Sequence, residues 1–227
     1  MKRYALIHDK FPREFVLLQG TGCRWGKCTF CDYHKDVSDN PFEVNKEVLS
    51  QVTGRYGVLD VINSGSGIEL DDDTIELIKQ IVEEKNIQTL WFEMHYMYRN
   101  HLEKFAQKFT PVNVKFRCGI ETFDADLREK WHKGVGRDVT VNDVAKFFHG
   151  VCLLCGTKGE SKEHILSDIK LAKAHFEYIS VNLFNENSTT LKPDANLQEW
   201  FREEVYPRIK DDSQIEVLIN NTDLGVG

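Results

Sequence analysis

The segment FVLLQGTGCRWGKCTFCDYHKD, residues 15–36, runs from a short apolar strand directly into a glycine-rich loop with three cysteines. Cys23, Cys28 and Cys31 follow one another with the spacing C-x4-C-x2-C. Thiolates are the usual protein ligands of iron–sulfur clusters. Three of them in one loop can hold three irons of a cubane and leave the fourth iron open to another ligand. The segment therefore predicts a metal centre at the carboxyl end of the first strand.

Other interpretations of the cysteine loop remain open at this stage. A plant-type 2Fe–2S ferredoxin begins with the same spacing but needs a fourth cysteine, and the next one, Cys118, lies far along the chain. A structural zinc site would be complete, because His34 follows Cys31 at a spacing that zinc ligands use. Cysteines packed in a core without any ligand are the third alternative.

Short apolar runs alternate with helical patterns along the whole chain. The predicted strands are residues 15–19, 58–63, 89–94, 114–120, 151–155, 178–184 and 215–219. The predicted helices are residues 43–52, 99–109, 124–131, 141–148 and 198–205, together with apolar stripes at 75–82 and 165–172. This alternation indicates parallel strands joined by right-handed crossovers. Because six or seven units do not close an eight-unit barrel, the expected fold class is α/β, a partial (β/α)6-type open barrel in a single domain, residues 1–227.

Composition narrows the class of protein. The net charge of −7 and the absence of a basic block disfavour a nucleic-acid partner, whose phosphates are bound by clustered Lys and Arg. The chain has no apolar run long enough for a membrane span, and its first residues lack the apolar core of a secretory signal. Six cysteines in such a chain indicate a reducing compartment. We therefore expect a cytoplasmic protein that acts on a small molecule, and a homodimer is compatible with these features.

The cysteine loop resembles the cluster loop of the radical S-adenosylmethionine (SAM) superfamily. That loop usually has the spacing C-x3-C-x2-C, with an aromatic residue just before the last cysteine. Phe30 occupies the aromatic position here, whereas one extra residue separates Cys23 from Cys28. The resemblance implies a 4Fe–4S cluster held by the three cysteines and SAM as the second cofactor. It also implies an electron donor such as a flavodoxin or a ferredoxin.

Further segments extend the resemblance over most of the chain. INSGSGIELDDDT, residues 62–74, lies where the superfamily has a glycine-rich segment beside the methionine part of SAM. WFEMHY ends the third predicted strand, FRCGIETFDADLREKWHKG covers residues 116–134, and LLCGTKGESKEHI follows in the fifth unit. For residues 62–74, an ordinary glycine-rich turn remains an alternative. For residues 116–134, the alternative is an acid at the start of a helix. The resemblance implies that the residues contacting the cofactors are Phe30, Tyr33, Ser64, Gly65, Ser66, Glu93 and Glu121.

Two motifs point to one branch of the superfamily. GCRWGKCTFCDY and SGSGIELDD resemble the archaeosine lyase branch, which cleaves a C–N bond in the side chain of a 7-deazaguanine base in tRNA. The acidic charge and the lack of an appended RNA-binding domain favour a free base instead. The resemblance thus implies a lyase that cleaves free queuine to 7-aminomethyl-7-deazaguanine. A radical enzyme that modifies tRNA or a peptide, and a non-catalytic zinc-binding α/β protein, are the alternatives.

Polar residues near strand ends are the candidates for substrate binding. A 7-deazaguanine presents N–H donors along one edge, and a carboxylate is the natural acceptor for them. Asn and Asp are also common in ordinary turns, and Cys152 and Cys155, on one predicted strand, are expected to be core residues. By this reasoning, the candidates for substrate binding are Glu14, Gln19, His95, Asn182, Asn185, Asn220 and Asp223.

Overall fold

The computed structural model describes all residues 1–227. The chain divides into two compact units. The first comprises Met1–Gly26, Tyr33–Phe116 and Thr222–Gly227, and the second comprises Lys27–Asp32 and Arg117–Asn221. The structure contains eight strands. None of the helices combines the length and the apolarity that crossing a membrane requires.

The first unit is built on four strands. Strands β2, β3 and β4 are parallel, and β1 pairs antiparallel with β2. Helix α2 begins after Asp71, whose side chain accepts a hydrogen bond from the backbone of Thr74, and such a cap satisfies a helix-end N–H group. The elements are β1 (Tyr4–Ile7), β2 (Arg13–Leu18), α1 (Pro41–Leu49), β3 (Val58–Asn63), α2 (Asp72–Glu84), β4 (Thr89–Met94) and α3 (Leu102–Gln107).

The second unit contains parallel strands. Its first strand, β5 (Asn113–Glu121), begins within the first unit, and β5, β6, β7 and β8 pair in that order. Every residue of β6 is buried, so Cys152 and Cys155 are core residues as expected. The remaining elements are α4 (Ala125–Lys130), α5 (Val141–Ala145), β6 (Gly150–Cys155), α6 (Lys162–His175), β7 (Tyr178–Leu183), α7 (Ala195–Trp200), α8 (Tyr206–Ile209) and β8 (Ile215–Leu218).

The predicted strands are all present, and β3 and β4 have the predicted bounds. Strand β1 was not predicted, and its antiparallel pairing corrects the expectation of parallel strands alone. It is four residues long and mostly half-buried, so it lacks the continuous apolar run of a buried parallel strand. The predicted helix at 99–109 is also shorter, because 3-10 geometry covers Tyr96–His101 before α3 begins.

Glu14 lies in β2 near its amino end and is fully buried. One carboxylate oxygen accepts hydrogen bonds from Tyr4 Oη at 2.7 Å, and from the backbone N–H and the hydroxyl of Thr53 at 2.8 Å each. The other accepts from the backbone N–H of Gly54 at 2.7 Å. Burial tends to raise the pKa of Glu14, but these hydrogen bonds outweigh it and lower the pKa below its usual value. The carboxylate of Glu14 therefore fixes the chain that follows α1, and its predicted contact with a substrate remains a prediction.

Replacing Glu14 with Ala should lower the free energy of unfolding by about 3 kcal/mol, since it leaves several buried donors without an acceptor. Urea unfolding followed by circular dichroism measures this loss. Glu47→Ala, at an exposed position of α1, is the matched control and should change stability by less than about 0.5 kcal/mol. Equal stabilities of the two variants would contradict the structural role of Glu14.

Two buried carboxyl groups lie in the second unit. Glu160 Oε2 accepts hydrogen bonds from the backbone N–H groups of Gly156 and Thr157, at 2.7 and 3.1 Å. Asp168 accepts from the backbone N–H of Phe123 at 2.9 Å. Burial raises the pKa of Glu160 to about 7 and that of Asp168 to about 6. Both groups therefore lose protons at higher pH in the folded chain than in the unfolded chain.

This difference gives the stability a defined pH dependence. A folded-state pKa above the unfolded value means that the folded chain binds more protons, so stability falls as pH rises from about 4 to about 7. Glu160→Gln keeps an acceptor oxygen and removes the charge, so the variant should lose less stability than the parent chain between pH 5 and pH 8. Urea midpoints across this pH range measure the effect. Parallel curves for the two proteins would contradict it.

Candidate active site

Gln19, the first residue after β2, holds the two ends of the cysteine loop together. Its Nε2 donates to Asp36 at 2.8 Å, and its Oε1 accepts from the hydroxyl of Ser38 at 2.7 Å. Arg3 forms two further hydrogen bonds with Asp36, at 2.8 and 2.5 Å. Both ends of its amide thus bind protein groups that fix the loop, and its predicted contact with a substrate remains a prediction.

The glycine-rich turn, residues 64–67, lies against the start of the cysteine loop. The hydroxyl of Ser64 accepts a hydrogen bond from the backbone of Gly20 at 2.9 Å, and that of Ser66 accepts from the backbone of His95 at 3.0 Å. A Cβ atom at Gly65 would lie 2.2 Å from Glu69 Oε2 and 3.1 Å from Cys23 Cα. Glycine is required here because any side chain would force the turn away from Cys23.

The carboxylate of Glu69 joins three segments of the first unit. Its Oε2 accepts from the backbone of Ser66 at 2.7 Å, and its Oε1 accepts from the backbone of Arg24 at 3.0 Å and from Tyr98 Oη at 2.6 Å. Burial and the hydrogen bond to Glu69 raise the pKa of Tyr98 well above its usual value, so its hydroxyl stays protonated and donates. Glu69 thus ties the glycine-rich turn to the cysteine loop and to the chain after β4.

Cys23 borders an open cleft of about 690 Å³ within the first unit, which Glu69, Tyr98, His34 and His101 also line. The backbone N–H of Gly26 donates to Cys23 Sγ at 3.4 Å. Hydrogen bonds of this kind to sulfur are among the features that tune iron–sulfur centres. His34, the possible zinc ligand, lines the same cleft. No group of three or more His, Cys, Asp or Glu side chains is arranged to hold a metal ion.

The other two cysteines belong to the second unit and are partly exposed. Cys28 and Cys31 pack against an apolar cluster that includes Phe30 and Trp131. The rings of Phe30 and Trp131 meet edge to face, with their centroids 5.8 Å apart. The backbone N–H of Thr29 donates to the carbonyl of Trp131 at 3.0 Å. Phe30 is therefore a core residue beneath the cysteines, and its predicted contact with the cofactor remains a prediction.

Glu121 ends β5 and has a left-handed backbone, with φ of 69°. The register of β5 against β6 shifts between Gly119 and Glu121. Its side chain forms a buried ion pair with Lys133, at 2.9 Å. Burial alone would lower the pKa of Lys133, but the negative charges of Glu121 and Cys28 raise it above its usual value, so the ammonium stays charged. Backbone strain of this kind is concentrated at functional sites.

Three other predicted cofactor or substrate residues, near β4 and the cysteine loop, differ from one another in burial and contacts. His95 is buried directly after β4, and its Nδ1 accepts from the backbone of Met97 at 3.1 Å, so the neutral ring carries its proton on Nε2. Its ring stacks on Trp25, with centroids 5.7 Å apart. Glu93 is half-buried within β4. Tyr33 is exposed, on the helical turn Tyr33–Lys35.

Two of the substrate candidates near β7 and β8 form hydrogen bonds with other groups of the protein. Asn182 Oδ1 accepts from the hydroxyl of Ser180 at 2.7 Å. The amide nitrogen of Asn185 donates to the carbonyls of Leu183 and Ile219, at 2.8 and 3.1 Å, and so holds together the chain after both strands. Asn220 and Asp223 are exposed in the chain after β8. Their predicted substrate contacts remain predictions.

Comparisons with known proteins identify the family. No protein-family model matches the chain, and no curated protein matches it in sequence. A solved structure of queuine lyase from Clostridium spiroforme bound to SAM and queuine is 39% identical in sequence, with a TM-score of 0.95. The match covers 100% of this chain and 99% of that one. This chain belongs to the queuine lyase family.

Family membership confirms the predicted assignment to radical SAM lyases, and the full-length match confirms the α/β partial-barrel fold class. The structure of SuiB from Streptococcus suis has a TM-score of 0.54 and 16% identity, over 92% of this chain and 50% of that one, and shows a shared fold alone. Sequence reasoning missed Glu69 and Lys133. Glu69 stands three residues after Ser66, a capping-box pattern that could have revealed it. Lys133 carries no such local signal.

Glu69→Gln should loosen the cysteine loop in this queuine lyase homologue, because one of the two oxygens that accept hydrogen bonds becomes a donor. We expect a loss of about 1–2 kcal/mol in loop attachment, and therefore faster trypsin cleavage after the exposed Arg24 and Lys27. Limited proteolysis with mass spectrometry measures the rate at each site. Glu76→Gln, an exposed position of α2, is the control, and equal cleavage rates in the two variants would contradict the role given to Glu69.

Proposed function

We propose that this chain is a radical SAM lyase that cleaves the C–N bond of free queuine and releases 7-aminomethyl-7-deazaguanine. The full-length likeness to the queuine lyase of Clostridium spiroforme carries the proposal, since that protein was solved bound to SAM and queuine. The cysteine loop and the glycine-rich turn independently favour the same chemistry. The net charge of −7 favours a free base over tRNA.

The residues of the cysteine loop suit a 4Fe–4S cluster. None of the three cysteines forms a disulfide, and all three are partly exposed. A backbone N–H group donates to Cys23 Sγ, and the Lys133 ammonium interacts electrostatically with the Cys28 sulfur. We infer that Cys23, Cys28 and Cys31 each bind one iron. When bound, the cluster supplies the electron that cleaves SAM into methionine and a 5′-deoxyadenosyl radical.

The glycine-rich turn is the proposed site for the amino-acid part of SAM. Ser64 and Ser66 use their hydroxyl oxygens to accept backbone hydrogen bonds, which keeps the shape of the turn fixed. Gly65 keeps the turn close to Cys23. We expect Glu93 and Glu121 to contact the bound cofactor, and Phe30 and Tyr33 to lie on its adenine side. These residues orient the cofactor and exclude water from it.

Among the predicted substrate residues, Glu14 and Gln19 already form hydrogen bonds with protein groups. Glu93 and Asp223 are carboxylates that can accept from the N1–H and 2-amino edge of a deazaguanine. His95 can donate from Nε2, because its Nδ1 is used as an acceptor. Asn182, Asn185 and Asn220 are the candidates for the cyclopentenediol of queuine, and we expect them to contact it at the carboxyl ends of their strands.

We also propose an electron donor and a cellular compartment for this reaction. A one-electron donor must reduce the cluster, and a flavodoxin or a ferredoxin has the suitable chemistry. We place the reaction in the cytoplasm, where thiols remain reduced. We also infer that residues 1–227 act as one catalytic domain, and a homodimer is compatible with this.

Anaerobic incubation of the iron-reconstituted protein with dithionite, SAM and queuine should yield 5′-deoxyadenosine and 7-aminomethyl-7-deazaguanine. Cys28→Ala should lower both products at least 100-fold, because one iron loses its thiolate. Cys152→Ala, in the core strand β6, should retain most of the activity. Mass spectrometry of the products and iron analysis measure these effects.

Different failures of this experiment have different meanings. If queuine neither reacts nor stimulates SAM cleavage while tRNA or a peptide does, the substrate assignment is wrong. If Cys28→Ala retains the iron and sulfide of the parent protein, the ligand assignment is wrong. Stoichiometric zinc without iron would contradict the radical chemistry itself.

A further inference from the structure

A buried lysine lies beside the cysteine loop in the second unit. The turn that carries Lys133 is fixed to the loop by the hydrogen bond from Thr29 to Trp131. Lys133 Nζ lies 5.5 Å from the ring centroid of Phe30. Because Phe30 stands between Cys28 and Cys31 in the chain, this contact places a positive charge next to the cysteines. Cys28 and Cys31 themselves pack against the apolar cluster that contains Phe30.

The charge of Lys133 is matched by one carboxylate. Glu121 Oε1 lies 2.9 Å from Lys133 Nζ, and the two residues are only 8% and 7% exposed. Removing two charges from water is costly, and apolar residues often stabilise a core as well as such a pair does. Glu121 also has the strained backbone described above. A contribution to stability alone is therefore a weak reason for this arrangement.

We propose that the Lys133–Glu121 pair sets the reduction potential of the cluster, with Lys133 raising it and Glu121 lowering it. This inference rests on the cluster of the proposed function. Reduction adds one negative charge to the cluster, and a buried positive charge nearby stabilises that added charge. The net charge around an iron–sulfur cluster is one of the main determinants of its potential. Both residues act on the potential without binding iron.

Potentiometric titration of the iron-reconstituted proteins, followed by electron paramagnetic resonance without SAM, tests the proposal. Lys133→Met retains an unbranched chain that can pack on Phe30, and it should shift the midpoint potential to more negative values. Glu121→Gln should shift it in the opposite direction. The variant with both substitutions should return toward the parent value. Lys130→Met, at an exposed position of α4, controls for the change in net charge and should leave the potential unchanged.

Opposite shifts in the two single variants support the proposal, because a merely structural role would not reverse its sign. Shifts in the same direction, or unchanged potentials with full iron content, overturn it. If Lys133→Met fails to hold iron, Glu121→Gln decides alone: a raised potential supports the proposal and an unchanged one overturns it. Absence of a cluster from the parent protein would contradict the proposed function instead.

Discussion

Three hydrogen-bond donors from separate segments converge on the carboxylate of Glu69. This convergence holds the glycine-rich turn against the backbone of Cys23, and it leaves no room for a side chain at Gly65. The geometry of the candidate site in the first unit depends on this interaction, because hydrogen bonds to a charged group are stronger than neutral ones. Tyr98, held as a protonated donor, links the same carboxylate to the chain after β4. Glu69 thus fixes the position of residues that line the cleft beside Cys23.

The second unit contains several buried charged or titratable groups, although removing such groups from water is energetically unfavourable. Glu121 combines a left-handed backbone with a buried ion pair, and Lys133 lies over the ring beneath the cysteines. Glu160 and Asp168 add buried carboxyl groups whose raised pKa values make the fold less stable at neutral pH than in mild acid. Glu121 ends β5 and Glu160 follows β6, whereas Asp168 lies within α6.

The sequence predicts most of the fold, because buried parallel strands appear as continuous apolar runs. Strands β3 and β4 have the predicted bounds for this reason, whereas the short edge strand β1 lacks such a run. The cysteine loop could be predicted from its spacing. The roles of Glu14 and Gln19 could not, because their hydrogen-bond partners lie up to 40 residues away and tertiary structure alone brings them together. Lys133 was missed for the same reason.

The central claim is that the cysteine loop carries a cluster with one iron open to SAM. Electron paramagnetic resonance of the dithionite-reduced, iron-reconstituted protein tests it most directly, with spectra recorded before and after SAM is added. The account predicts the signal of a reduced 4Fe–4S cluster that changes when SAM is added, because SAM binds the open iron. A protein that retains zinc and gives no signal, or a cluster signal that SAM leaves unaltered, would contradict it.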